Sequence, residues 1–218
     1  MFETQKPQGA IESKVHSATE RQRTMLKTIR WTASALIVLL ALAWAVTWVG
    51  DLHPTASIGG PFTLTDTAGR RVTDTNFRGK WMIVYFGYAY CPDICPTELQ
   101  AIATAMDLLG PRADAVVPIF ITIDPARDTP AALGQYVKLF DDRIVGLTGS
   151  AEDIAAVAHA YRVSYARVDG TKSTSYIMDH TSSIFLMAPD GKFRAMLPQN
   201  EDPNAMVGAL RMEMTKRG

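Results

Sequence analysis

Cysteine is scarce in this chain: the 218 residues contain only two, Cys91 and Cys95. So low a count excludes a small scaffold held together by several disulfides. A bond between two cysteines four residues apart would stabilise the fold by only about 2 kcal/mol on the chain-entropy model. We therefore expect the two thiols to serve chemistry rather than stability.

A surplus of charge is also absent, because 22 basic and 22 acidic residues give a formal net charge of +0. Proteins that bind nucleic acid need a basic surplus to neutralise phosphates, so we expect no nucleic acid partner. The balance hides an asymmetry, since residues 1–30 carry six basic and only three acidic side chains. The remainder of the chain is slightly acidic.

Residues 31–50 contain no charged residue at all. As a helix these twenty residues would be about 30 Å long, which matches the hydrocarbon core of a bilayer. Trp31 and Trp48 lie near the two ends, where indole rings favour the headgroup level. The pattern predicts one N-terminal transmembrane helix at 31–50. A cleaved signal peptide is the rival reading, but residues 47–50 offer no good small-x-small cleavage site.

The distribution of basic residues predicts how the chain is oriented and divided. Basic side chains precede the apolar segment closely, whereas none follows it until Arg70. The positive-inside rule then predicts a cytoplasmic tail at 1–30, the anchor at 31–50, a Pro/Gly/Ser linker at 51–60, and a folded domain at 61–218 across the membrane.

The order of predicted elements after the linker indicates an α/β fold. Two hairpins, two buried strands and several amphipathic helices alternate along the chain. This order fits a thioredoxin-like fold, with a mixed sheet and flanking helices. The predicted elements are a hairpin at 62–73, strands at 81–86 and 116–123, helices at 96–109, 130–140 and 151–161, a hairpin at 182–197 and a closing helix at 204–216.

The two cysteines lie between a buried strand and the start of a helix. The positive end of a helix dipole favours thiolate, and Pro92 and Pro96 restrict the backbone around the pair. Paired thiolates are soft donors that suit Cu(I), zinc or reversible disulfide chemistry. A small local disulfide or two inert thiols remains the alternative.

Only four histidines are available as further ligands. His16 and His53 fall in the tail and the linker, and His159 lies beside the apolar stripe of a predicted helix, so solvent exposure is sufficient explanation for all three. His180 differs because it immediately precedes a predicted buried strand, at an edge that faces the cysteine loop in a thioredoxin-like sheet. Its neighbour Asp179 either orients the imidazole ring or is simply solvated.

Several segments of the chain resemble the Sco (also called SenC) family of copper proteins. The similarity covers residues 58–190 and weakens in the last hairpin and helix. It is carried by Tyr85-Phe-Gly-Tyr88, Cys91-Pro-Asp-Ile-Cys95-Pro96, Ile123-Asp-Pro-Ala-Arg-Asp-Thr129, Val145-Gly-Leu-Thr-Gly149, Ala160-Tyr-Arg-Val163 and Asp179-His180-Thr181.

The resemblance implies a function as well as a fold. The family's thioredoxin-like domain holds copper through two cysteines and one histidine, which correspond here to Cys91, Cys95 and His180. The soft thiolate donors favour Cu(I), with Cu(II) as a second state, and the resemblance implies a role as a copper chaperone rather than an enzyme. Asp124, Arg127 and Asp128 belong to a family-like segment, but no ligand role is transferred to them; an arginine–carboxylate pair and side-chain caps are enough to hold such a loop.

The implied client is the dinuclear copper site of cytochrome c oxidase subunit II, with other copper chaperones and a thiol reductant as further partners. An alternative is a membrane-tethered thiol-disulfide oxidoreductase that reduces the cysteines of that subunit or of another client. A peroxide-reducing enzyme is a third hypothesis, but no activating Thr or Arg precedes Cys91 at close spacing.

The composition of the N-terminal tail at 1–30 indicates in which membrane the protein is located. Glu3, Glu12 and Glu20 are unusual in a mitochondrial transit peptide. We therefore expect a single-pass protein of the bacterial inner membrane with its C-terminal domain in the periplasm. The mitochondrial inner membrane, facing the intermembrane space, is the alternative.

Overall fold

The computed structural model describes residues 58–170, 176–199 and 202–216, together with scattered helical positions between 31 and 44. The predicted tail at 1–30, the remainder of the predicted anchor and linker residues 51–57 lie outside the described residues. Among the residues that the structure does describe, no helix is both long and apolar enough to cross a membrane.

A seven-stranded mixed sheet forms the centre of residues 58–216. A separate two-stranded antiparallel sheet is formed by β6 (Tyr165–Asp169) and β7 (Tyr176–His180). The strands of the large sheet are β1 (Thr63–Asp66), β2 (Arg71–Thr73), β3 (Trp81–Gly87), β4 (Val116–Thr122), β5 (Val145–Thr148), β8 (Ile184–Met187) and β9 (Phe193–Leu197).

The order across the large sheet is β2-β1-β5-β4-β3-β8-β9. The three central strands β5, β4 and β3 run parallel, and the remaining neighbours pair antiparallel. The predicted mixed sheet is therefore confirmed, and so are both predicted hairpins. Because parallel strands end at the same edge, the loops after β3 and β4 emerge side by side.

Four helices flank the sheet: α1 (Ile94–Leu109), α2 (Pro130–Val137), α3 (Ala151–Ala160) and α4 (Pro203–Thr215). The side chains of Thr129 and Ser150 cap α2 and α3 as their types predict. Helix α1 begins two residues before the predicted start at Pro96, so Cys95 lies in its first turn. Helix α2 ends at Val137 rather than near Phe140.

The core lies around β3, whose seven residues are all buried. Phe86 on β3 packs against Tyr161 and against Phe185 on β8, with ring centroids 5.3 and 6.1 Å apart, and the latter two rings are 5.3 Å apart. Aromatic packing of this kind resists displacement because interiors are close-packed. The loop that follows β3 therefore starts from a rigid strand.

Two further features differ from the sequence-based prediction. Strand β5 was not predicted, because its four residues are too few to show a period and, unlike the short strands β1 and β8, it is not marked by an adjacent hairpin turn. The hairpin β6–β7 was also not predicted, and it places His180 at the end of β7, four residues before β8 begins, rather than at the entrance of the buried strand. Every residue of β6 after Tyr165 is exposed, so this strand lacks the buried face that makes a strand easy to recognise.

Truncation of Phe185 tests the aromatic core. We expect Phe185→Ala to lower the free energy of unfolding by about 3–5 kcal/mol, since it leaves a cavity between Phe86 and Tyr161. Urea denaturation followed by circular dichroism measures the loss. Met196→Ala on β9, where the side chain is 47% exposed, is the control and should cost no more than about 0.5 kcal/mol. Equal losses in both variants would contradict this description of the core.

Candidate metal centre

The loop after β3 holds the two thiols at the start of helix α1. The backbone N–H of Cys91 donates to the carbonyl of Tyr88 at 3.2 Å. The backbone N–H of Cys95 in turn donates to Sγ of Cys91 at 3.5 Å. Cys95 is fully buried and Cys91 is half-buried, and both are free thiols. One sulfur therefore faces solvent and the other faces the core.

His180 reaches this pair from the separate hairpin. Its Nε2 lies 3.5 Å from Sγ of Cys95. The ligand atoms of Cys91, Cys95 and His180 all lie within 4.8 Å of one another. Within the described part of the chain, this is the one group of three or more Cys, His, Asp or Glu side chains that converge closely enough for a metal ion. The structure thus brings together the three residues that were predicted as ligands.

The imidazole is oriented by a backbone carbonyl. Nδ1 of His180 lies 3.1 Å from the carbonyl oxygen of Thr181. A carbonyl can only accept, so Nδ1 carries the proton in this hydrogen bond, and Nε2 of the neutral ring keeps its lone pair toward the sulfurs. The orienting group is thus Thr181, and Asp179 is exposed. The ring of Tyr88 packs edge-on against the imidazole with centroids 6.0 Å apart.

The donor set fits a soft metal ion. Two sulfurs that can ionise and one neutral imidazole nitrogen suit Cu(I) or zinc and do not suit calcium or magnesium, which take oxygen ligands. The hydrogen bond from Nδ1 also matches the way in which metal-bound histidines are usually held. The residues present therefore fit copper, and Nε2 of His180 is already free to bind it.

The two thiols differ in acidity. The hydrogen bond from the Cys95 thiol, together with those from the backbone amides of Asp93 and Cys95, lowers the pKa of Cys91 to about 3 despite partial burial. The hydrogen bond to Cys91, together with burial, raises the pKa of Cys95. In the metal-free reduced protein the pair therefore shares one proton, with the thiolate on Cys91 and the thiol on Cys95.

The wall behind Cys95 leaves no spare room. A Cβ added at Gly87 would lie 2.8 Å from both Sγ of Cys95 and the ring of Phe120. Phe120 packs in turn on Tyr85, with centroids 6.0 Å apart. Burial, followed by the nearby Cys95, raises the pKa of Tyr85 and keeps its hydroxyl neutral. Only glycine at position 87 allows the sulfur to lie this close to strand β3.

A buried carboxyl group pins the loop on the N-terminal side of Cys91. Asp128 is fully buried, and its Oδ2 accepts from the N–H of Ala89 at 3.0 Å and from the hydroxyl of Thr122 at 2.7 Å. Thr148 donates to the backbone carbonyl of Asp128 at 2.9 Å. Sequence reasoning missed this contact. The family-like segment 123–129 pointed to the loop, but nothing in it indicated that a carboxylate 39 residues away would accept from Ala89.

The other predictions for nearby residues are tested as well. The expected arginine–carboxylate pair exists between Arg127 and Asp124. His159 is exposed on α3, as predicted, whereas His16 and His53 lie outside the described residues. Tyr88 belongs to the buried wall of the site, but Tyr90 is 62% exposed.

Together, fold and site define a thioredoxin-fold protein with a Cys-Cys-His centre for a soft metal ion. The family model for SCO1/SenC matches residues 50–215. The chain therefore belongs to the SCO1/SenC family, and the resemblance drawn from its motifs is confirmed.

Curated relatives and a solved structure agree with this assignment. The chain is 42% identical over 160 residues to "Protein SCO1 homolog 1, mitochondrial" of Arabidopsis thaliana, covering 73% of this chain and 48% of the relative. It is 37% identical over 190 residues to "Protein SenC" of Rhodobacter capsulatus, covering 81% and 85%. The chain thus spans about half the length of the mitochondrial relatives it matches.

The crystal structure of Arabidopsis thaliana ScoI with copper bound has 41% sequence identity and a TM-score of 0.70, and the match covers 73% of this chain and 99% of that one. This structure agrees with the expectation of copper as the metal of the family and confirms the thioredoxin-like α/β fold with flanking helices.

Substitution of Gly87 tests the packing behind the sulfur. We expect Gly87→Ala to lower the free energy of unfolding by about 1–3 kcal/mol, because the methyl group overlaps Cys95 and Phe120. Gly208→Ala in helix α4 is the control, since nothing lies within 4 Å of its added Cβ; it should stabilise the helix by about 0.5–1 kcal/mol. Urea denaturation measures both. An unchanged free energy of unfolding in Gly87→Ala would show that Cys95 and Phe120 can move to accommodate the methyl group.

The acidity of Cys91 is tested by alkylation of the metal-free, reduced protein. A lowered pKa means that the thiolate persists as the pH falls, so iodoacetamide should still modify Cys91 at pH 5, where an ordinary thiol with a pKa of about 8.5 is almost unreactive. Mass spectrometry of the labelled peptides gives the rates, with Cys91→Ser as the control. A rate that falls tenfold for each pH unit below 8 would contradict the assignment.

Proposed function

We propose that this protein binds one copper ion through Cys91, Cys95 and His180 and delivers it to the dinuclear copper site of cytochrome c oxidase subunit II during assembly of the oxidase. The observation that carries the proposal is the convergence of two thiol sulfurs and an imidazole nitrogen within 4.8 Å. Membership of a family with copper-bound structures supports the choice of metal.

The chemistry of the donors supports Cu(I) as the ion carried. Two thiolates and a neutral imidazole offset the single positive charge and leave the site with a net charge of −1. Cys91 is already a thiolate before the metal binds, so copper needs to displace only the proton of Cys95. Cu(II) is the second state that the same donors would accept.

Release would proceed by ligand exchange. An incoming thiolate of the client would first displace the imidazole, which is the weaker and neutral donor. Oxidation of Cys91 and Cys95 to a disulfide would remove both anionic donors, so loading requires a thiol reductant. Other copper chaperones would supply the ion upstream.

The location is part of the proposal. We place a cytoplasmic tail at 1–30, a transmembrane anchor at 31–50, a linker at 51–60 and the copper-binding domain at 61–218 in the periplasm of a bacterium. Twenty consecutive uncharged residues and the basic residues before them support this arrangement. The mitochondrial inner membrane is the alternative, since relatives of both kinds match the chain.

A second candidate function is reduction of a client disulfide. The observation that favours it is the unequal exposure of the two thiols. The accessible Cys91 thiolate would attack one sulfur of the client and release the other as a thiolate. Cys95 would then lose its proton and attack Cys91 of the mixed disulfide. The client leaves as a dithiol and this protein keeps the 91–95 disulfide, so no further oxidant is needed.

Copper content of purified variants tests the main proposal. Reduced wild-type protein should bind copper stoichiometrically, whereas Cys95→Ser and His180→Ala should lose most of it, because each removes one of three donors. His159→Ala, on the exposed face of α3, is the matched control and should bind as the wild type does. Near-stoichiometric copper in Cys95→Ser under reducing conditions would count decisively against the proposal.

The same His180→Ala variant separates the two functions. Thiol exchange with a test disulfide needs only the cysteines and should survive this substitution. Copper binding should not survive it. If wild-type protein binds no copper while thiol exchange is rapid in both proteins, the reductase function is the better description.

A further inference from the structure

We propose that Arg127 is a positioning residue that fixes His180 relative to the two sulfurs by clamping strand β7 to the cysteine loop. As far as it concerns copper affinity, this inference rests on the proposed copper binding. Sequence reasoning gave Arg127 no role beyond its pairing with a carboxylate.

The hairpin that carries His180 needs external support. Strands β6 and β7 pair only with each other among the described strands and are not hydrogen-bonded to the seven-stranded sheet. A two-stranded hairpin by itself is at best marginally stable in water. Along β7, residues 177 and 179 are exposed, whereas Tyr176, Met178 and His180 alternate with them and are half-buried. The position of His180 therefore depends on contacts made by that half-buried face.

Arg127 makes several of these contacts at the start of β7. Its Nη1 donates to the backbone carbonyl of Tyr176 at 3.1 Å. Its guanidinium carbon lies 3.6 Å from the centroid of the Tyr176 ring. Its Nε donates to Asp124, and the hydroxyl of Tyr176 donates to both oxygens of that same carboxylate at 2.9 and 3.1 Å. Arginine, aspartate and tyrosine thus form a closed triangle that joins the loop after β4 to β7.

The same guanidinium also contacts the cysteine loop. It lies 4.8 Å from the ring centroid of Tyr90, which immediately precedes Cys91, and 5.6 Å from that of Tyr88. Tyr88 is the ring that packs edge-on against His180. The guanidinium is thus in contact with the segments that carry the sulfurs and with the strand that carries the imidazole.

Burial indicates that this orientation is specific. Nη2 of Arg127 is buried and has no hydrogen-bond acceptor within the described part of the chain. Leaving a charged donor unsatisfied is costly, and stacking on tyrosine rings offsets part of that cost. Neutralising Asp124 alone would not require Nη2 to be buried without an acceptor. The contacts with Asp124, with the Tyr176 carbonyl and with the tyrosine rings together require a planar guanidinium group.

Lysine cannot replace this arrangement although it keeps the charge. Its ammonium group is a compact point charge that neither stacks as a plane nor bridges a carboxylate and a carbonyl in a fixed fork. Arg127→Lys therefore removes the arginine's bond to the Tyr176 carbonyl and its stacking on the Tyr176 ring, leaves only the Tyr176–Asp124 hydrogen bond of the triangle, and keeps the local charge unchanged. Since Tyr176 and His180 lie on the same face of β7, about 13 Å apart along the strand, loss of the anchor at one end loosens the other.

Copper affinity is the first readout. In the full chain, purified in detergent and reduced, we expect Arg127→Lys to bind Cu(I) about ten- to a hundredfold more weakly, as measured by competition with a Cu(I) chelator. Arg143→Lys is the matched control. Arg143 also pairs with aspartates, Asp141 and Asp107, but Asp107 lies about 18 Å along helix α1 from Cys95. This control should bind copper as the wild type does.

A double-mutant cycle separates positioning from a general loss of structure. If Arg127 acts through His180, then Arg127→Lys should have no further effect on copper affinity in a His180→Ala background. An equal loss in both backgrounds would overturn the inference, because it would mean that Arg127 supports the fold or the thiols instead.

Amide hydrogen exchange of the metal-free chain gives a readout that needs no copper. We expect Arg127→Lys to speed exchange at residues 176–180 about tenfold while β3 and β8 keep their rates. If the wild type binds no copper, the proposed function fails and this measurement alone decides on the clamp. Unchanged exchange in β7 overturns the inference, and so does faster exchange with unchanged affinity in a protein that binds copper.

Discussion

The candidate metal centre is held together by the 3.5 Å approach of Nε2 of His180 to Sγ of Cys95, two residues separated by 85 positions. One atom is held by the first turn of helix α1 behind a rigid strand. The other is held by a small hairpin outside the main sheet. The candidate site therefore lies between the two sheets, and the position of each ligand depends on the element that carries it.

The unequal state of the two sulfurs has consequences for both proposed chemistries. A thiolate on the accessible Cys91 and a proton on the buried Cys95 give an initial donor for a metal ion, and the same arrangement gives a nucleophile and a resolving thiol. The cysteines alone cannot decide between carriage and reduction. His180 is the residue that distinguishes the two, because copper binding needs its Nε2 as a third donor, whereas thiol exchange requires only the two cysteines.

The sequence predicts features that depend on neighbouring residues better than contacts between residues that are distant along the chain. The thiols, the strand before them and the hairpins at the two ends of the domain are local patterns, and they were predicted. Strand β5 was not, because it is short and no adjacent hairpin turn marks it, and the hairpin β6–β7 was not, because its exposed residues are not selected for burial in a core. The bond from Ala89 to Asp128 and the stacking of Arg127 on Tyr176 are tertiary contacts without a sequence signature. The contact of His180 with the carbonyl of Thr181 is local, but every residue has a carbonyl, so no residue type marks it.

The division of the ligands between a rigid and a lightly held element agrees with a protein that must give its metal away. Sγ of Cys95 lies against Gly87 at the end of β3, where even an added methyl group would overlap it. The imidazole lies on a two-stranded hairpin that is supported mainly by side chains. In ligand exchange the neutral donor should leave first, and here it is also the donor whose element can move at least cost. A site built for permanent retention would gain by placing all three ligands on the central sheet, whereas a carrier gains by leaving one of them outside it.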